Sequence, residues 1–527
     1  MNINTIKKVG KYTESTEKSF ARLTLALVFI VIVFLYSYVS HDNIPNNTFL
    51  IVGAVFGAYM AMNIGANDVA NNVGPAVGSK AITLFWAIVI AAIFETAGAF
   101  IAGGDVVKTI KKGIIDPALI NDPEIFIWAM TAALLSAALW LNFATSIGAP
   151  VSTTHSIVGG VMGSGIAAAG FAIVDWGTMA KIASSWVISP ILGGVIAAGF
   201  LYFIKKNIIF KDDMIENAKK FVPYLIAIMI LVFTTYLMLK GVKKIVKVDF
   251  ITALLIGTAV SAIVLYFLKP MIAKSTSKLD NNRDSVNTLF TIPLIFSAAL
   301  LSFAHGANDV ANAIGPLAAI NDAIVGGEIS SKVEIPFWVM AVGALGLTVG
   351  LALFGPKLIK TVGSEITELD QIRAFCIAVS AAITVIIASQ LGLPVSSTHI
   401  AIGGIFGVGF LREALNSTES NYIREVNEKF KKNKRELDQY QLELDKIESI
   451  EIKDRTTFER IVELYKLIDI KQDLVKEERK DVKDANKIQY VKRDAVKKIV
   501  AAWIITVPAA GILSAGIFFM IKGIMIG

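Results

Sequence analysis

Two acidic residues lie where an acid is costly to place. Asp68 and Asp309 sit inside the long apolar stretches Leu50–Val77 and Leu289–Ile320. A carboxylate at the centre of a lipid-crossing helix costs about 2.5–3.5 kcal/mol on insertion scales, and residues so placed usually mark ion or solute pathways. Each has amide neighbours, Asn67 and Asn71 in one case and Asn308 and Asn312 in the other, with Gly before and Gly-Pro after. Gly and Pro loosen a helix. Both segments are therefore expected to be broken helices whose opened backbone lines a protein cavity. Carboxylate, amide and backbone carbonyl oxygens suit a hard cation such as Na⁺. Asp68 and Asp309 are the metal-ligand candidates, with Asn71 and Asn312 beside them. The alternative is polar packing between helices. Glu95, a third acid in an apolar run, is a candidate for cation or proton coupling, or for pairing with a neighbouring helix.

Two clusters of hydroxyls have a complementary chemistry. Ser152-Thr153-Thr154 and Ser396-Ser397-Thr398 each follow a Pro by two residues and precede a Gly-containing segment with helical character. Serial hydroxyls at a helix N-terminus, with unpaired backbone N–H groups and the positive end of the dipole, form an anion site. Simple capping would need only one hydroxyl in each cluster. His155 and His399 follow the clusters and read as packed residues. His305 lies four residues before Asp309 and so shares its helix face. The first half has no equivalent, although Asn63 is nearby.

These features come in pairs. Gly65-Ala-Asn-Asp-Val-Ala-Asn-Asn-Val-Gly-Pro75 matches Gly306-Ala-Asn-Asp-Val-Ala-Asn-Ala-Ile-Gly-Pro316, and Pro150-Val-Ser-Thr-Thr-His155 matches Pro394-Val-Ser-Ser-Thr-His399. The Asp pair is 241 residues apart and the His pair 244. Val107-Lys-Thr-Ile110 echoes Ile359-Lys-Thr-Val362, and Lys181–Trp186 echoes Lys498–Trp503. Matched landmarks in one order indicate duplication. In this alignment Leu347 stands opposite Glu95, so the Glu is not duplicated.

The elements that carry these residues are membrane helices. The 527 residues are 54% hydrophobic and 18% charged; soluble proteins hold about 25% charged residues. Of the 93 charged residues, 42 fall between Arg412 and Lys498. Apolar runs of roughly 20 residues recur along the rest, the length that crosses a bilayer as helix. The expected fold is all-α and polytopic, with about 12 membrane segments in two repeats, plus a soluble helical hairpin. The expected divisions are 1–47, a tail and first helix; 48–204, the first repeat; 205–286, linking helices; 287–411, the main part of the second repeat; 412–498, the charged insert; and 499–527, the last membrane helix. Within the insert, Thr456-Thr-Phe-Glu459 has the form of a capping box. The net charge of +7 comes with basic residues flanking apolar runs, which suits lipid headgroups rather than nucleic acid. No Walker-type loop appears, and one cysteine, Cys376, excludes an internal disulfide.

At the duplicated Asn-Asp and hydroxyl motifs the chain resembles the inorganic phosphate transporter family over about 350 residues. The resemblance implies an inverted-repeat, cation-coupled symporter with a site between the halves. It implies Asn67, Asp68, Asn308 and Asp309 as the substrate and cation core. It makes Ser152, Thr153, Thr154, Ser396, Ser397 and Thr398 the phosphate ligands. Glu95 also falls where related transporters have a Glu. Expected partners are phosphate, Na⁺ or H⁺ as coupling ion, and the lipid of a cell membrane, without a resident cofactor. A homodimer is compatible with this reading, and the insert is expected on the cytoplasmic side. The rival readings are a sulfate permease of the same fold, a passive anion channel and a membrane-embedded serine hydrolase.

Overall fold

The computed structural model describes residues 3–44, 47–120, 122–146, 151–242, 246, 248–325, 335–365, 369–415, 417–449, 454–486 and 493–526. These residues form α1 (Ile3–Ser40), α2 (Thr48–Asn67), α3 (Val69–Gly78), α4 (Leu84–Ala102), α5 (Gly104–Lys112), α6 (Pro123–Ser146), α7 (Thr153–Ala169), α8 (Trp176–Ile204) and α9 (Met214–Lys240). They continue as α10 (Phe250–Thr276), α11 (Arg283–Leu289), α12 (Thr291–Val325), α13 (Phe337–Glu365), α14 (Gln371–Gln390), α15 (Ser397–Leu415), α16 (Ser417–Glu448), α17 (Arg455–Asn486) and α18 (Arg493–Ile526). Among the described residues the only β pairing is an isolated bridge between Ile115 and Val174.

Eleven helical stretches are long and apolar enough to cross a membrane among the described residues, one fewer than the sequence reading expects. The 17-residue α7 falls short of the roughly 20 residues a crossing needs. The outer surface is apolar where membrane lipid would lie: Leu255, Ile263 and Phe267 on α10 are 65%, 58% and 66% exposed. Basic and acidic side chains would be required there in water.

Contacts reveal how the duplication is used. Related helices exchange partners: α2 packs on α13 while α4 packs on α12, and α7 packs on α18 while the related α15 meets α8 through Gly403 and Pro190. Gly65 lies against the Leu347 carbonyl and Gly306 against that of Glu95, each too close for any side chain. Gly98 against Phe303 and Gly350 against Met62 form the second such couple. Each contact is the other seen from the opposite repeat.

At the centre Thr96 and Thr348, which occupy related positions, hydrogen-bond to each other at 2.9 Å. The two helices carrying them are antiparallel, because Phe100 near the end of α4 stacks on Phe337 at the start of α13, 5.2 Å between centroids. Equivalent helices that run in opposite directions are related by an axis across their length. For membrane helices that axis lies in the membrane plane, which makes the repeats inverted.

One expectation is corrected. The helix is interrupted at Asp68, between α2 and α3, but α12 runs unbroken through Asn308, Asp309 and Pro316. Each Pro still removes one ladder bond, so Pro75 and Pro316 cannot donate to the carbonyls of Asn71 and Asn312. Neighbouring helices bury this stretch of α12 on all sides, and a single lost bond does not break it.

Residues 409–492 form a separate compact unit, apart from 1–408 with 493–527. Its helices α16 and α17 are antiparallel, joined by Arg460–Glu443 at 2.9 Å and Lys471–Glu436 at 2.6 Å around a core of Leu437, Leu444, Leu464 and Ile468. The expected capping box is replaced by a carboxylate cap. Thr457 N donates to Asp454 Oδ1 (2.8 Å), and the hydroxyls of Thr456 and Thr457 also donate to Asp454. An ionised carboxylate is the stronger acceptor for the first turn of a helix, and these bonds hold Asp454 down at about 2.

Candidate functional site

Ser152 is the N-cap of α7, its Oγ accepting from His155 N at 3.2 Å. Ser396 does the same for α15, accepting from His399 N at 3.3 Å. Both serine oxygens therefore cap, and each retains an O–H to donate. Pro150, expected to end the preceding segment, lies outside the described residues. Behind the caps, His155 and His399 lie ring to ring at 4.6 Å, flanked by Trp186 (3.8 Å) and Trp503 (3.7 Å). They are packed residues, as the sequence suggests, and they mark the same two-fold relation between the repeats.

The helix starts bring their hydroxyls to the Asn-Asp motifs. Asp68 accepts from Thr153 of its own repeat (2.7 Å) and Thr398 of the other (3.0 Å). Asp309 Oδ2 accepts from Ser397 at 2.9 Å. Asn71 donates to Thr398 (2.8 Å), and its counterpart Asn312 donates to Thr154 (3.1 Å) and Thr153 (3.3 Å). Asn67 donates to the Val151 carbonyl at 3.3 Å. Asn308 holds the other strand of chain at both ends, donating to Leu393 O (3.1 Å) and accepting from Val395 N (3.3 Å). The Asn-Asp and hydroxyl residues of both halves are thus one buried cluster, with none more than 7% exposed apart from the partly buried Asn71.

The symmetry fails at one point, and the failure is chemical. His305 Nδ1 lies 2.7 Å from Glu95 Oε2, and its Nε2 lies 2.7 Å from Asp309 Oδ2. Asn72 donates to Glu95 Oε1 at 2.7 Å. The sequence reading includes Glu95 but leaves His305 and Asn72 out of the site. Its signals were the i, i+4 spacing of His305 and Asp309, and the Asn72/Ala313 mismatch within otherwise matched motifs. Asn63, considered as a first-half stand-in, instead donates to Tyr59 O on its own helix at 2.9 Å. A further charged pair missed from sequence, Lys111 with Asp322, is buried between α5 and α12.

This arrangement offers two kinds of binding. One ligand atom each from Asp68, His305 and Asp309 falls within 4.8 Å of the others, close enough to share one small cation. Asn312 Oδ1 is buried with no hydrogen-bond partner among the described residues, which leaves it an available acceptor. Two carboxylates plus amide and hydroxyl oxygens fit Na⁺, which prefers oxygen. The paired N-termini of α7 and α15, with their hydroxyl clusters, supply the opposite preference, for an oxyanion. Two carboxylates alone would repel an anion, so anion binding here requires a cation between them or a proton upon them.

A membrane body of inverted repeats enclosing a shared polar site defines a membrane transporter rather than an enzyme. The chain belongs to the phosphate transporter family, whose model matches residues 64–514. A Helicobacter pylori protein that carries the name phosphate permease is 48% identical over 98% of both chains. A Pyrococcus abyssi protein with the same name is 39% identical, covering 72% of this chain and 92% of its own. A solved structure titled "The sodium-dependent phosphate transporter" superposes with a TM-score of 0.72 at 32% identity, over 90% of this chain and all of that one. The hydrolase reading falls away, and the chain is a multi-pass membrane protein.

Proposed function

We propose that the protein is a secondary active symporter that moves inorganic phosphate together with a cation, by alternating access. The observation that carries this reading is the junction of Asp68 and Asp309 in one buried cluster, Asp68 bonded to hydroxyls at the starts of both α7 and α15 and Asp309 to one at the start of α15. Asp68, Asp309, Asn71, Asn312 and Glu95 hold or influence the cation. The hydroxyls of Ser152, Thr153, Thr154, Ser396, Ser397 and Thr398, with Asn67 and Asn308, receive the phosphate. Cation and phosphate bind better together because each offsets the other's charge, a coupling that is reciprocal by linkage. Na⁺ is the preferred coupling ion, supported by the carboxylate, amide and hydroxyl oxygens gathered around Asp68 and Asp309 and by the name of the structural relative.

In this reading 48–204 and 287–411 with 499–527 form the transporting body, 205–286 links its halves, and the insert 412–498 lies in the cytoplasm. Uptake of labelled phosphate into proteoliposomes under imposed Na⁺ or pH gradients tests the proposal. Uptake should follow the Na⁺ gradient and vanish with Asp68→Asn or Asp309→Asn. Uptake that ignores both gradients and survives Asp68→Asn would indicate a passive channel. Competition by unlabelled sulfate but not by phosphate would reassign the anion.

A further inference from the structure

Between α8 and α14 lies a cavity that phosphate transport does not use. The helices run antiparallel, since Trp186 Nε1 donates to Pro394 O at 3.1 Å while Phe200, further along α8, meets Phe375 edge-on at 6.2 Å. The cavity measures about 470 Å³, and its walls include Lys181, Ser184, Ile188, Ser189, Ala388 and Leu393. Sites for small organic ligands have about this size, roughly 300–1,000 Å³. The walls are almost wholly apolar, and the rim lies among outward-facing side chains: Ile188 and Ile191 are 60% and 62% exposed, and Leu391 is 67% exposed.

Polar groups break this apolar slot in a definite order. Trp176 begins α8 and is exposed, as befits an indole at headgroup depth. Lys181 follows one turn further in, exposed and without an ion pair among the described residues. The acid before it, Asp175, accepts from Thr178 N (2.9 Å) and Thr178 Oγ1 (3.0 Å) and lies near enough to feel the Lys181 charge, but forms no ion pair with it. Ser184 comes next, and deeper still Ser189 is buried with its hydroxyl unpartnered. No acceptor on α14 covers that hydroxyl. A cation at headgroup depth above an open apolar slot is complementary to an anionic amphiphile.

We infer that this slot binds one anionic phospholipid. The headgroup phosphate pairs with Lys181, the ester region lies beside Ser184, and an acyl chain fills the space down to Leu192. The back wall includes Leu393 and Val395. These residues hold Asn308 through Leu393 O and Val395 N, and Thr154 through Val395 O at 2.9 Å. An acyl chain there braces the segment that leads into Ser396, so lipid occupancy and transport are linked.

The test is photolabelling of the full-length protein in phosphatidylcholine vesicles, with and without phosphatidylglycerol carrying an acyl-chain diazirine, followed by peptide mapping. Adducts should concentrate on 180–192 and 384–395, well above those on the equally lipid-exposed α10. Ala388→Phe, which fills the slot, should remove that excess. Ile188→Trp, on the open rim, blocks the same space if Ala388→Phe fails to fold. Lys181→Gln should lower phosphatidylglycerol labelling about fivefold, the effect of one basic residue at an anionic surface, and leave labelling by a diazirine phosphatidylcholine unchanged. Even labelling of α8, α10 and α14, labelling indifferent to the filling substitutions or to Lys181, or a cross-linked second copy seated on this face would each overturn the assignment. None of these readouts depends on phosphate uptake, so they stand or fall apart from the symport reading.

Discussion

His305 joins Glu95 to Asp309, with 2.7 Å on either side of its ring. At the related positions of the other repeat stand Ile64 and Leu347, both fully buried. One of the two related junctions between the halves holds a polar link where the other holds hydrocarbon.

This contrast supplies its own control. Glu95→Leu alone leaves His305 without one of its two carboxylate partners, and His305→Ile alone removes a partner of both Glu95 and Asp309. Breaking one side of a buried pair costs about 3–5 kcal/mol. Glu95→Leu with His305→Ile recreates the pairing already present at Leu347 and Ile64. The double variant should unfold at a higher temperature than either single one, with a coupling of about 0.5–3 kcal/mol in a double-mutant cycle. Its uptake should still fail, because Asp309 has lost its neighbour. Strictly additive melting shifts would refute the linkage.

Thr398 crosses the repeat boundary to Asp68. A hydrogen bond to a charged group contributes about 1.5–3 kcal/mol. Thr398→Ala should therefore raise the Na⁺ concentration for half-maximal uptake by roughly 10- to 100-fold, since about 1.4 kcal/mol is one decade. Thr398→Ser keeps the hydroxyl and should remain within a few-fold of the native protein. At the neighbouring position a serine suffices for such a bond: Ser397 makes to Asp309 the contact that its counterpart Thr153 makes to Asp68.

The glycine contacts between repeats admit no side chain. Gly65→Ala and Gly306→Ala each drive a methyl group into a backbone carbonyl, and overpacking of this kind costs about 1–3 kcal/mol or more. Gly199→Ala, on α8 with nothing within 4 Å of the added carbon, should instead leave stability equal or raise it by up to about 1 kcal/mol. Thermal unfolding in detergent distinguishes the two classes.

The insert has its own pH dependence. Asp454 is held at about 2 by the N–H and hydroxyls it accepts from, below an ordinary value near 3.9. A carboxyl group depressed on folding stabilises fully above its unfolded value. That contribution is lost as pH falls from about 4 through about 2. Amide exchange at the first turn of α17 should quicken across this window after correction for intrinsic rates. In Asp454→Ala it should be fast already at neutral pH and flat through the same range.

The sequence makes the duplication, the membrane spans and most of the polar cluster legible, because motif spacing and apolar length are local signals. The Glu95–His305 link is not local. It joins residues 210 apart, and only the packing of α4 on α12 creates it. Asn72 is illegible for the opposite reason: it departs from the repeat that marks its neighbours, with Ala313 at the matching position. The unbroken course of α12 was hidden by Gly315-Pro316, whose tendency to break a helix is overridden by tertiary burial. At Asp454 two capping patterns overlap within four residues, and the stronger acceptor wins.

The antiparallel crossing at Thr96 and Thr348 has a thermodynamic corollary. A chain whose halves are the same shape turned upside down can reverse the direction it faces when each half adopts the posture of the other. A perfectly matched pair would hold the two facings at equal free energy. Here the acid of one half meets the imidazole of the other, where the related pair is only leucine and isoleucine, so the degeneracy is lifted. In the proposed alternating-access cycle, that mismatch gives the molecule a preferred resting side.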